Sequence, residues 1–382
     1  MPAIKSRGKI LIFNTSFFDV SQTFVYHQVE ILSKHYDVEL LGMAFMNPHG
    51  YDLSSFEMHK ITRPGGFFNR VLYRLMGFRI FSAGSLLKLF RLFRSRRFRA
   101  IHVHFGTNAL LILPFARYFR IPLVVTFHGA DASRMLRVKN YVKRLPKLFD
   151  YASAIIIVSR HMERSLKLDQ WMHKVHIIPC SVDPDEFEAS PLKAENGRIK
   201  LIHAGRLTPK KGVPSLIQVF ADLASKYPGV DLDLAGEGDD EQECRQIVED
   251  CGLEKRVRFH GAVGHENMKQ LLDNADIFVL NSRIAADGDM EGTPVSLLEA
   301  MSLGMAVVST RHAGIPDVIR DGENGLLVHE HADEELGKAI ERLIVDEDLR
   351  QKLGREAIRS VKQKFSLDVM EQKLIRVFDS IR

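Results

Sequence analysis

The chain has 382 residues, of which 45% are hydrophobic and 26% charged, a balance that excludes a disordered protein and indicates about two globular domains. Its three cysteines, Cys180, Cys244 and Cys251, form no C-x-x-C pair, which argues against a disulfide framework or a zinc site and is typical of a reducing cytosol. The net charge of +5 is uneven, because residues 1–190 carry 27 Lys and Arg against 14 Asp and Glu, while the remainder carries 26 against 34.

Short β-branched runs alternate with longer helical patterns along the whole chain. Such alternation predicts parallel sheets with helices on both faces, the α/β class. The candidate strands of the N-terminal half are Lys9–Asn14, Val38–Ala44, Ala100–Phe105, Leu123–His128, Ala154–Ser159 and His176–Pro179. Those of the C-terminal half are Lys200–Gly205, Asp231–Ala235, Val257–His260, Ile277–Asn281, Ala306–Thr310 and Gly325–Val328. Two sets of six strands predict two doubly wound domains.

The joint between these domains is expected in the polar stretch Asp183–Gly197, which holds two prolines. We therefore predict an N-terminal domain over residues 1–190 and a C-terminal domain over residues 191–365. A last helix at about 366–382 has helical periodicity and is expected to pack back on the N-terminal domain. Ligands of doubly wound sheets bind at the carboxyl ends of the strands, so a cleft between the domains is the expected site.

Membrane-spanning and secretory segments are not expected from this sequence. The first candidate strand begins within ten residues of Met1, and its apolar run is too short for a signal peptide. The run ALLILPFA is far shorter than the roughly 20 residues that a spanning helix needs. We expect a protein that is not integral to a membrane.

The stretch MEGTPVSLLEAMSLGMAVVST, residues 290–310, predicts a helix followed by a short strand. Thr293 is a suitable N-cap and Pro294 a suitable first helical residue, and Gly304 is placed to end the helix. Glu291 then lies in the loop that enters the helix.

Glu299 lies inside the same predicted helix, so carboxylates occur on both sides of its first turn. The backbone N–H groups of Val295 and Ser296 are expected at the positive end of the helix, where an anion is stabilised. Carboxylates accept hydrogen bonds from hydroxyl groups, so an anion between them suits a nucleotide sugar. An ordinary helix with two unrelated glutamates explains the stretch equally well.

Two loops of the C-terminal half carry further candidates. LIHAGRLTPKKG places Arg206 and Lys211 at the carboxyl end of a strand, where cations suit a pyrophosphate, although a basic surface loop is an equal alternative. In DLAGEGDDE the glycines Gly236 and Gly238 would permit close approach of a base or ribose. They are candidate nucleotide-binding residues, and an ordinary strand-to-helix turn is the simpler interpretation.

Histidines end two neighbouring strands of the N-terminal half. His128, followed by glycine at the carboxyl end of a buried strand, is a candidate catalytic residue. His102 and His104 share one face of the preceding strand, with His104 nearer the expected cleft.

Two D-x-D triplets, at residues 231–233 and 287–289, have the spacing that holds a divalent metal on a nucleotide diphosphate. The first begins a strand, at the wrong end of the sheet for a ligand. Turn chemistry explains the second. We therefore expect no metal site at either triplet.

Eight motifs along residues 200–330 resemble, in the same order, those of glycosyltransferase family 4, the retaining nucleotide-sugar transferases of GT-B fold. They are HAGRLTPKKG, LAGEGDD, VRFHGAV, ADIFVLNS, EGTPVSLLE, EAMSLGMAVVST, HAGIPDVI and DGENGLLV. In the N-terminal half SQTFVYHQVEIL, HVHFG and TFHGAD are similar to the exopolysaccharide branch, the colanic-acid and amylovoran type. The resemblance implies a GT-B fold, with two doubly wound Rossmann-like domains facing across a cleft.

The resemblance also implies a role for each candidate side chain. Glu299 would hold the ribose hydroxyls, Glu291 would contact hydroxyls of the transferred sugar, and His128 would lie near the sugar and its leaving phosphate. Arg206 and Lys211 would bind the diphosphate. The backbone N–H groups near Val295 and Ser296 would assist them.

Three departures from the family pattern bear on the acceptor. Ala313 and Asp317 stand in a motif that usually reads Gly-Gly-x-Pro-Glu, and Cys180 and Ser181 replace Asn-Gly after the last strand of the N-terminal half. Gln22 replaces a glutamate of the branch. None of these positions carries a role assigned above.

The function implied by the resemblance is transfer of a sugar from a UDP- or GDP-sugar to a saccharide or lipid-linked saccharide acceptor in exopolysaccharide or cell-surface polysaccharide synthesis. A retaining reaction with no cofactor and no metal is expected, and no nucleic acid partner. A nucleotide-sugar epimerase of the same fold and an inactive scaffold at a membrane are the alternatives. The basic N-terminal half argues against the first, and retention of both glutamates, Arg206 and Lys211 argues against the second.

The tract from Met58 to Ala130 holds 13 basic and no acidic residues, which indicates an anionic partner. If residues 86–95 form a helix, its apolar side is Leu86, Phe90 and Phe93. Lys88, Arg91 and Ser95 fall on its other side, with Arg94 at the edge, and Arg70, Arg74 and Arg79 precede the helix. A domain helix with a solvated basic face is the simplest packing, but it does not explain the missing acids. We expect peripheral binding to the inner face of the cytoplasmic membrane, or to a lipid diphosphate.

Overall fold

The computed structural model of the chain describes residues 7–18, 22–47, 50–63, 81–187 and 198–381. The chain divides into two compact units, Met1–Pro179 with Met370–Arg382, and Cys180–Val369. Most of the predicted joint, residues 188–197, lies outside the described residues.

The N-terminal unit is built on a parallel sheet. Its strands are β1 (Lys9–Phe13), β2 (Ser16–Phe17), β3 (Asp37–Gly42), β4 (Ala44–Phe45), β5 (Glu57–Lys60), β6 (Ala100–His104), β7 (Leu123–Phe127), β8 (Ala154–Ile157) and β9 (Val175–Ile177). Its α-helices are α1 (Thr23–Ser33), α2 (Ala83–Ser95), α3 (Gly106–Phe119), α4 (Lys139–Val142), α5 (Leu145–Tyr151) and α6 (His161–Ser165). Within the described residues the main sheet has the order β5-β3-β1-β6-β7-β8-β9, and β2 pairs with β4.

The C-terminal unit repeats this architecture. Its strands are β10 (Ile199–Ala204), β11 (Val230–Ala235), β12 (Val257–Gly261), β13 (Ile277–Leu280), β14 (Ala306–Thr310) and β15 (Leu326–Val328). Its helices are α7 (Val213–Lys226), α8 (Glu241–Asp250), α9 (His265–Asp273), α10 (Val295–Ser302), α11 (Ile315–Val318), α12 (Asp333–Val345) and α13 (Glu347–Lys364). The last helix, α14 (Leu367–Ser380), belongs from Met370 onward to the N-terminal unit. The parallel sheet has the order β12-β11-β10-β13-β14-β15.

Both strand orders reverse direction beside the first strand of their unit. The reversal lies between β1 and β6 in one sheet and between β10 and β13 in the other. At such a switch point the connections leave toward opposite sides, and a crevice opens at the carboxyl ends of the two strands. A binding site in each unit is therefore expected in the loops that follow these strands.

All twelve predicted strands are present, with ends shifted by at most two residues. They are recognisable because parallel strands covered on both faces are continuous apolar runs, as in the fully buried LVVTF of β7. The strand β5 was not predicted, because EMHK is polar and largely exposed at the edge of its sheet. The two-residue strands β2 and β4 were also not predicted.

The final helix α14 packs through one stripe of side chains. Met370, Leu374 and Phe378 are buried in the same cluster as Ile10 of β1 and Val29 of α1. The spacing of four residues between the three is that of one face of a helix.

The free carbonyl groups at the end of α14 also have a partner. The guanidinium of Arg99 donates to the carbonyl oxygens of Phe378 and Ile381, at 3.3 and 3.0 Å. One base of the basic tract is therefore used to close a helix end.

Helix α2 corrects the predicted helix over residues 86–95. It begins at Ala83, and Leu89 and Phe93 are buried, whereas Leu86 and Phe90 are 39% and 38% exposed. The predicted apolar side is wrong in these two residues, because Phe93 packs against other aromatic rings of the unit and thereby fixes the rotation of the helix. Among the described residues no helix combines the length and hydropathy needed to cross a membrane.

Candidate active site

Two ion pairs connect the loops that follow β10 and β13. The ammonium of Lys211 lies 2.8 Å from Oε1 of Glu291, and both side chains are about nine-tenths buried. The ammonium of Lys210 lies 3.3 Å from Oδ2 of Asp289. Consecutive lysines of one loop thus bind alternate carboxylates of the other, at the carboxyl edge of the C-terminal sheet.

Burial and charge act in opposite directions on this pair. Burial by itself would raise the pKa of Glu291, but the ammonium groups of Lys211 and Lys210 outweigh it and hold that pKa at about 2. Burial lowers the pKa of Lys211, and Glu291 opposes that change. At neutral pH Glu291 is therefore a carboxylate.

The backbone of Glu291 is held by a histidine that the sequence analysis did not assign. Its N–H donates to Nε2 of His312 at 3.1 Å, and Nδ1 of His312 donates to Glu330 at 2.8 Å. Since Nε2 accepts, the proton of the fully buried imidazole lies on Nδ1. The signal was present in the sequence, because His312 follows the end of β14, at the same sheet edge as the candidates.

Helix α10 begins one residue later than predicted. Val295 is its first residue and Pro294 its N-cap, with extended backbone and no side-chain cap hydrogen bond. Thr293 is thus not the N-cap, because proline fixes its own φ but tolerates the ψ of 115° that leads into the helix. Gly304 follows the helix with φ of +71°, which confirms the predicted glycine stop.

The first turn of α10 is tied to the neighbouring strand. The hydroxyl of Ser296 donates to the carbonyl oxygen of Ala204, the last residue of β10, at 2.7 Å. The start of the helix, with the backbone of Val295 and Ser296, therefore lies beside the loop that carries Arg206 and Lys211.

Glu299 differs from Glu291 in its surroundings. It is 91% buried, and no Lys or Arg of the described residues lies within ion-pair distance of its carboxyl group. Burial raises the pKa of Glu299 to about 7, His265 opposes the rise, and Glu186 adds to it. His265 itself lies 2.7 Å from Glu186, and that hydrogen bond raises the pKa of His265.

Gly236 and Gly238 have a packing role. A Cβ on Gly236 would lie 2.0 Å from the carbonyl oxygen of Gly205, and one on Gly238 would lie 2.3 Å from that of Leu207. Both glycines have φ above +140°, which favours glycine. We expected a base or ribose to approach these glycines closely. In the structure it is the backbone of the loop after β10 that does so.

Arg206 is the exposed cation of that loop. No Asp or Glu of the described residues lies within ion-pair distance of its guanidinium, in contrast to both lysines. Its charge contributes to the lowered pKa of Lys211, after burial and Lys210. Backbone hydrogen bonds from Thr208 to Arg206 and from Lys211 to Thr208, at 2.9 and 2.8 Å, hold both residues in one turn of the loop. The structure therefore brings together Arg206, Lys211 and Glu291.

The residues of the D-x-D triplets contact cations of the protein. Asp231 accepts from Arg198 and Arg256, at 2.6 and 3.0 Å. Asp289 pairs with Lys210, and the backbone N–H of Asp289 donates to Asp287 at 2.9 Å. The second triplet is thus a turn whose last carboxylate is paired.

The N-terminal unit has its own buried polar cluster at the carboxyl edge of its sheet. Nδ1 of His104 lies 3.0 Å from Nε2 of His128, and Nε2 of His102 lies 2.8 Å from the hydroxyl of Thr126. Burial lowers the pKa of His102 and His128 to about 3, and that of His104 well below its ordinary value. The three imidazoles are therefore neutral at pH 7.

The loop around His128 is fixed by a buried carboxylate. Asp131 accepts from the backbone N–H groups of His128 and Gly129, each at 3.0 Å, and from Gly106 at 2.9 Å. Burial raises the pKa of Asp131, although these hydrogen bonds oppose the rise. The backbone that carries His128 is thus set by one side chain.

Two family models match the chain in succession. The model of Glycosyltransferase Family 4 matches residues 21–186, and that of Glycosyl transferases group 1 matches residues 184–360. The chain belongs to glycosyltransferase family 4.

Two relatives carry names from polysaccharide synthesis. This family 4 chain is 33% identical to the amylovoran biosynthesis glycosyltransferase AmsK of Erwinia amylovora over 244 residues, 63% of this chain and 60% of AmsK. It is 30% identical over 261 residues, 68% of this chain and 64% of the relative, to WcaL of Escherichia coli K12, which is named for colanic acid biosynthesis. The chain thus spans less than two thirds of the length of either relative, and their names confirm the branch that the sequence predicted.

The fold of the family 4 chain is also found among solved structures. HepE of Anabaena, in complex with UDP, superposes with a TM-score of 0.81 at 19% identity, over 98% of this chain and 100% of HepE. The likeness confirms the predicted GT-B fold, with two Rossmann-like α/β units.

One departure from the family motif lies at a residue with positive φ. Ala313, where the motif has glycine, adopts φ of +45°, a conformation that favours glycine. For alanine this conformation costs about 1 kcal/mol. The methyl group therefore adds strain directly beside His312.

Proposed function

We propose that this glycosyltransferase moves a sugar from a nucleotide-diphosphate sugar to a saccharide or lipid-linked saccharide acceptor, with retention at the anomeric carbon and without a metal ion, in exopolysaccharide or cell-surface polysaccharide synthesis. The donor class is supported by HepE, a fold neighbour solved with UDP and with UDP-glucose. The acceptor class is supported by the names of AmsK and WcaL.

The observation that carries the proposal is the pattern of charge after β10 and β13. One cation, Arg206, is exposed and unpaired within the described residues, and a second, Lys211, uses one of its three N–H groups on Glu291. Both lie beside the start of α10, whose N-terminal N–H groups favour an anion. A diphosphate would supply the negative charge that Arg206 lacks and that Lys211 can still bind.

Each side of this anion site has a carboxyl group for hydroxyls. We assign Glu291, held as a carboxylate by Lys211, to hydroxyls of the transferred sugar. Glu299, which has no Lys or Arg partner among the described residues, is assigned to the ribose. Val295 and Ser296 would bind the diphosphate through backbone N–H groups, and Gly236 and Gly238 would hold the loop of Arg206 in place.

The transfer step balances without a further reactant. A bond forms between the acceptor oxygen and the anomeric carbon, while the bond from that carbon to the diphosphate oxygen breaks. The proton of the acceptor hydroxyl passes to the leaving phosphate, on the same face of the sugar. Arg206 and Lys211 stabilise the charge that grows on the phosphate, which is electrostatic preorganisation. His128 of the N-terminal unit is assigned to the sugar and its leaving phosphate.

A donor screen tests this function. UDP- and GDP-sugars are ranked by thermal shift, and release of free nucleotide is then measured with and without a lipid-linked acceptor. We expect nucleotide release that depends on the acceptor, together with a glycosylated product. Epimerised donor without transfer would indicate an epimerase, and donor binding without any turnover would indicate a scaffold, and either result would refute the proposal.

We further infer a peripheral contact with anionic membranes through one surface of the N-terminal unit. The α2 patch, defined as Leu86, Leu87, Phe90 and Tyr118, consists of large apolar side chains that are 38–70% exposed. The ring of Phe90 lies 6.0 Å from that of Tyr118, so α2 and the end of α3 share the patch.

The exposed bases around the α2 patch supply the charge. They are Lys88, Arg91, Arg94, Arg97, Arg117 and Arg120. Each base near an anionic surface contributes about 1 kcal/mol. Arg96 is excluded from this set, because it pairs with Glu39 and Glu57. Arg70, Arg74 and Arg79 lie outside the described residues.

Vesicle cosedimentation tests the contact. We expect binding to phosphatidylglycerol vesicles at low salt, loss of binding at high salt, and no binding to phosphatidylcholine. The double change Arg91→Glu and Arg94→Glu should abolish binding, whereas Lys362→Glu with Lys364→Glu, two exposed bases of α13, should not. Equal binding to both vesicle types, or none at low salt, would leave only a solvated basic face.

A further inference from the structure

The contact between His104 and His128 occupies one ring nitrogen of each histidine. Nδ1 of His104 and Nε2 of His128 are 3.0 Å apart, and the two rings are stacked with centroids 5.2 Å apart. His104 ends β6 and is fully buried. The contact therefore joins the ends of two adjacent strands.

A hydrogen bond between two neutral imidazoles fixes the proton of both. One of the two facing nitrogens must carry hydrogen and the other must be bare. If Nδ1 of His104 donates, the proton of His128 lies on Nδ1, and if it accepts, that proton lies on Nε2. Burial keeps both rings neutral, since it lowers the pKa of His128 to about 3. Neither remaining nitrogen, Nε2 of His104 or Nδ1 of His128, has a hydrogen-bond partner within the described residues.

Two phenylalanine rings also pack against the His128 ring. Phe24 and Phe105 lie 4.5 and 4.7 Å from it, centroid to centroid. Asp131 holds the backbone of residue 128, not its ring. Aromatic faces restrict where the ring lies, but they do not select one nitrogen over the other, so His104 makes the polar contact that orients the imidazole.

The backbone of His104 is fixed in turn. The side-chain amide of Asn108 donates to the carbonyl oxygen of His104 and to Oδ1 of Asn14, both at 2.9 Å. Asn14 follows β1, so this amide bridges the switch point of the N-terminal sheet. The position of His104 is therefore set by the strands themselves and not by a surface loop.

We propose that His104 is a positioning residue, which orients the imidazole of His128 and fixes which of its nitrogens carries the proton. The inference rests on the proposed role of His128 toward the sugar and its leaving phosphate. A ring that turns over presents carbon or the wrong nitrogen to its ligand in part of the molecules. Loss of His104 should therefore reduce turnover without weakening nucleotide binding, which is assigned to the C-terminal unit.

The chain offers a rescue variant and a matched control. In His104→Asn the amide nitrogen occupies nearly the place of Nδ1, so the contact with His128 is kept, whereas His104→Leu fills similar space without a nitrogen. The control is His102→Leu, on the same face of β6, because His102 bonds Thr126 and not His128. It removes an equally buried imidazole, whose ring centroid lies 4.5 Å from that of His104, without removing either atom of the contact between His104 and His128.

The direct measurement is the ¹⁵N NMR spectrum of the histidine rings, which reports the tautomer without any substrate. We expect His128 in one tautomer in the native protein, in His104→Asn and in His102→Leu, and a mixture of both in His104→Leu. A single unchanged tautomer in His104→Leu, or a mixture in the native protein, would overturn the inference.

Turnover of the donor that the screen selects distinguishes the role of His128 from its positioning by His104. We expect His104→Leu to lower kcat at least tenfold with UDP affinity within threefold of native, and His104→Asn and His102→Leu to stay within threefold in kcat. The pair His104→Leu with His128→Ala should lose no more than His128→Ala alone. Unchanged kcat in His128→Ala would refute the role of His128 itself. Losses of kcat that add in the double variant would refute only the positioning by His104. Equal losses of kcat in His104→Leu, His104→Asn and His102→Leu would have the same meaning.

Discussion

The carboxyl edges of the two sheets have the same topology and opposite chemistry. In the N-terminal unit the edge holds three imidazoles that burial keeps neutral, and its carboxylate, Asp131, is bound by backbone N–H groups. In the C-terminal unit the edge holds buried charges in pairs, with Lys211 against Glu291. Strand order alone therefore does not decide which groups a switch point presents.

The difference follows from whether a buried group has a counter-charge. Without one, burial favours the neutral form, as in His128 and Glu299, and with one the charged form persists, as in Glu291. A neutral edge suits hydroxyl groups, and a charged edge suits a diphosphate. The proposed division of labour between the units is thus a difference in counter-charges.

The largest expected effect comes from removing the counter-charge of the C-terminal edge. Lys211→Met leaves the Glu291 carboxylate buried and unpaired, and we expect the free energy of unfolding at pH 7 to fall by about 3–5 kcal/mol. Urea denaturation measures it. The matched control is Lys226→Met, which breaks an exposed pair with Glu341 and should change the free energy of unfolding far less, because solvent screens that pair.

The pH dependence of the same variant has a definite sign. In the native protein the lowered pKa of Glu291 contributes stability that is present above about 4.5 and is lost as the pH falls toward 2. In Lys211→Met, burial raises that pKa. The loss of unfolding free energy relative to the native protein should therefore be smaller at pH 4.5 than at pH 7. Equal deficits at both values would mean that Glu291 is not the group affected.

The second effect concerns the unpaired cation. Arg206→Ala removes a charge that the fold does not use, so we expect unfolding free energy within about 0.5 kcal/mol of native. Turnover should fall at least tenfold, about 1.4 kcal/mol of barrier, because the leaving diphosphate loses a contact. Near-native turnover would remove Arg206 from the proposed site.

The third effect separates the two glutamates. The pKa of Glu299 is raised to about 7, so its folded state holds a proton that the unfolded chain releases near 4.5. This carboxyl group by itself makes the free energy of unfolding fall between pH 4.5 and 7, by up to about 1.4 kcal/mol per unit, whereas the buried histidines, which gain a proton only on unfolding, act in the opposite sense. Glu299→Gln should remove that contribution, so that the free energy of unfolding rises more steeply with pH than in the native protein, whereas Glu291→Gln should not have this effect.

The affinity for UDP should rise with pH as Glu299 ionises, opposite to the contribution of Glu299 to the free energy of unfolding. Its ionised form accepts stronger hydrogen bonds from ribose hydroxyls, so affinity measured by calorimetry should rise from pH 6 to pH 8. A flat profile that Glu299→Gln leaves unchanged would argue that Glu299 does not hold the ribose.

The smallest expected effect is that of chelation. Because Asp289 already pairs with Lys210, we expect EDTA and Asp287→Asn each to change turnover less than twofold. Loss of turnover in EDTA, restored by magnesium or manganese, would show that the charged edge works through a metal.

Residue patterns were sufficient where the cause is local. Continuous apolar runs identify strands such as β7, and Gly304 ends α10 because its φ is positive. Patterns failed where packing chooses between equivalent faces. Leu86 and Phe90 have the right spacing for a buried stripe, yet α2 turns them outward because Phe93 packs among other rings.

The sequence by itself determined the α/β class, twelve of the thirteen strands of the two main sheets and the loops that carry the candidates, because these follow from nearest neighbours and short periods. Only the tertiary structure decided that Glu291 is paired and Glu299 is not, although both are buried and eight positions apart. It also brought His312 to Glu291 and His104 to His128. A counter-charge or an imidazole comes from a strand remote in the chain, so its presence depends on strand order and burial.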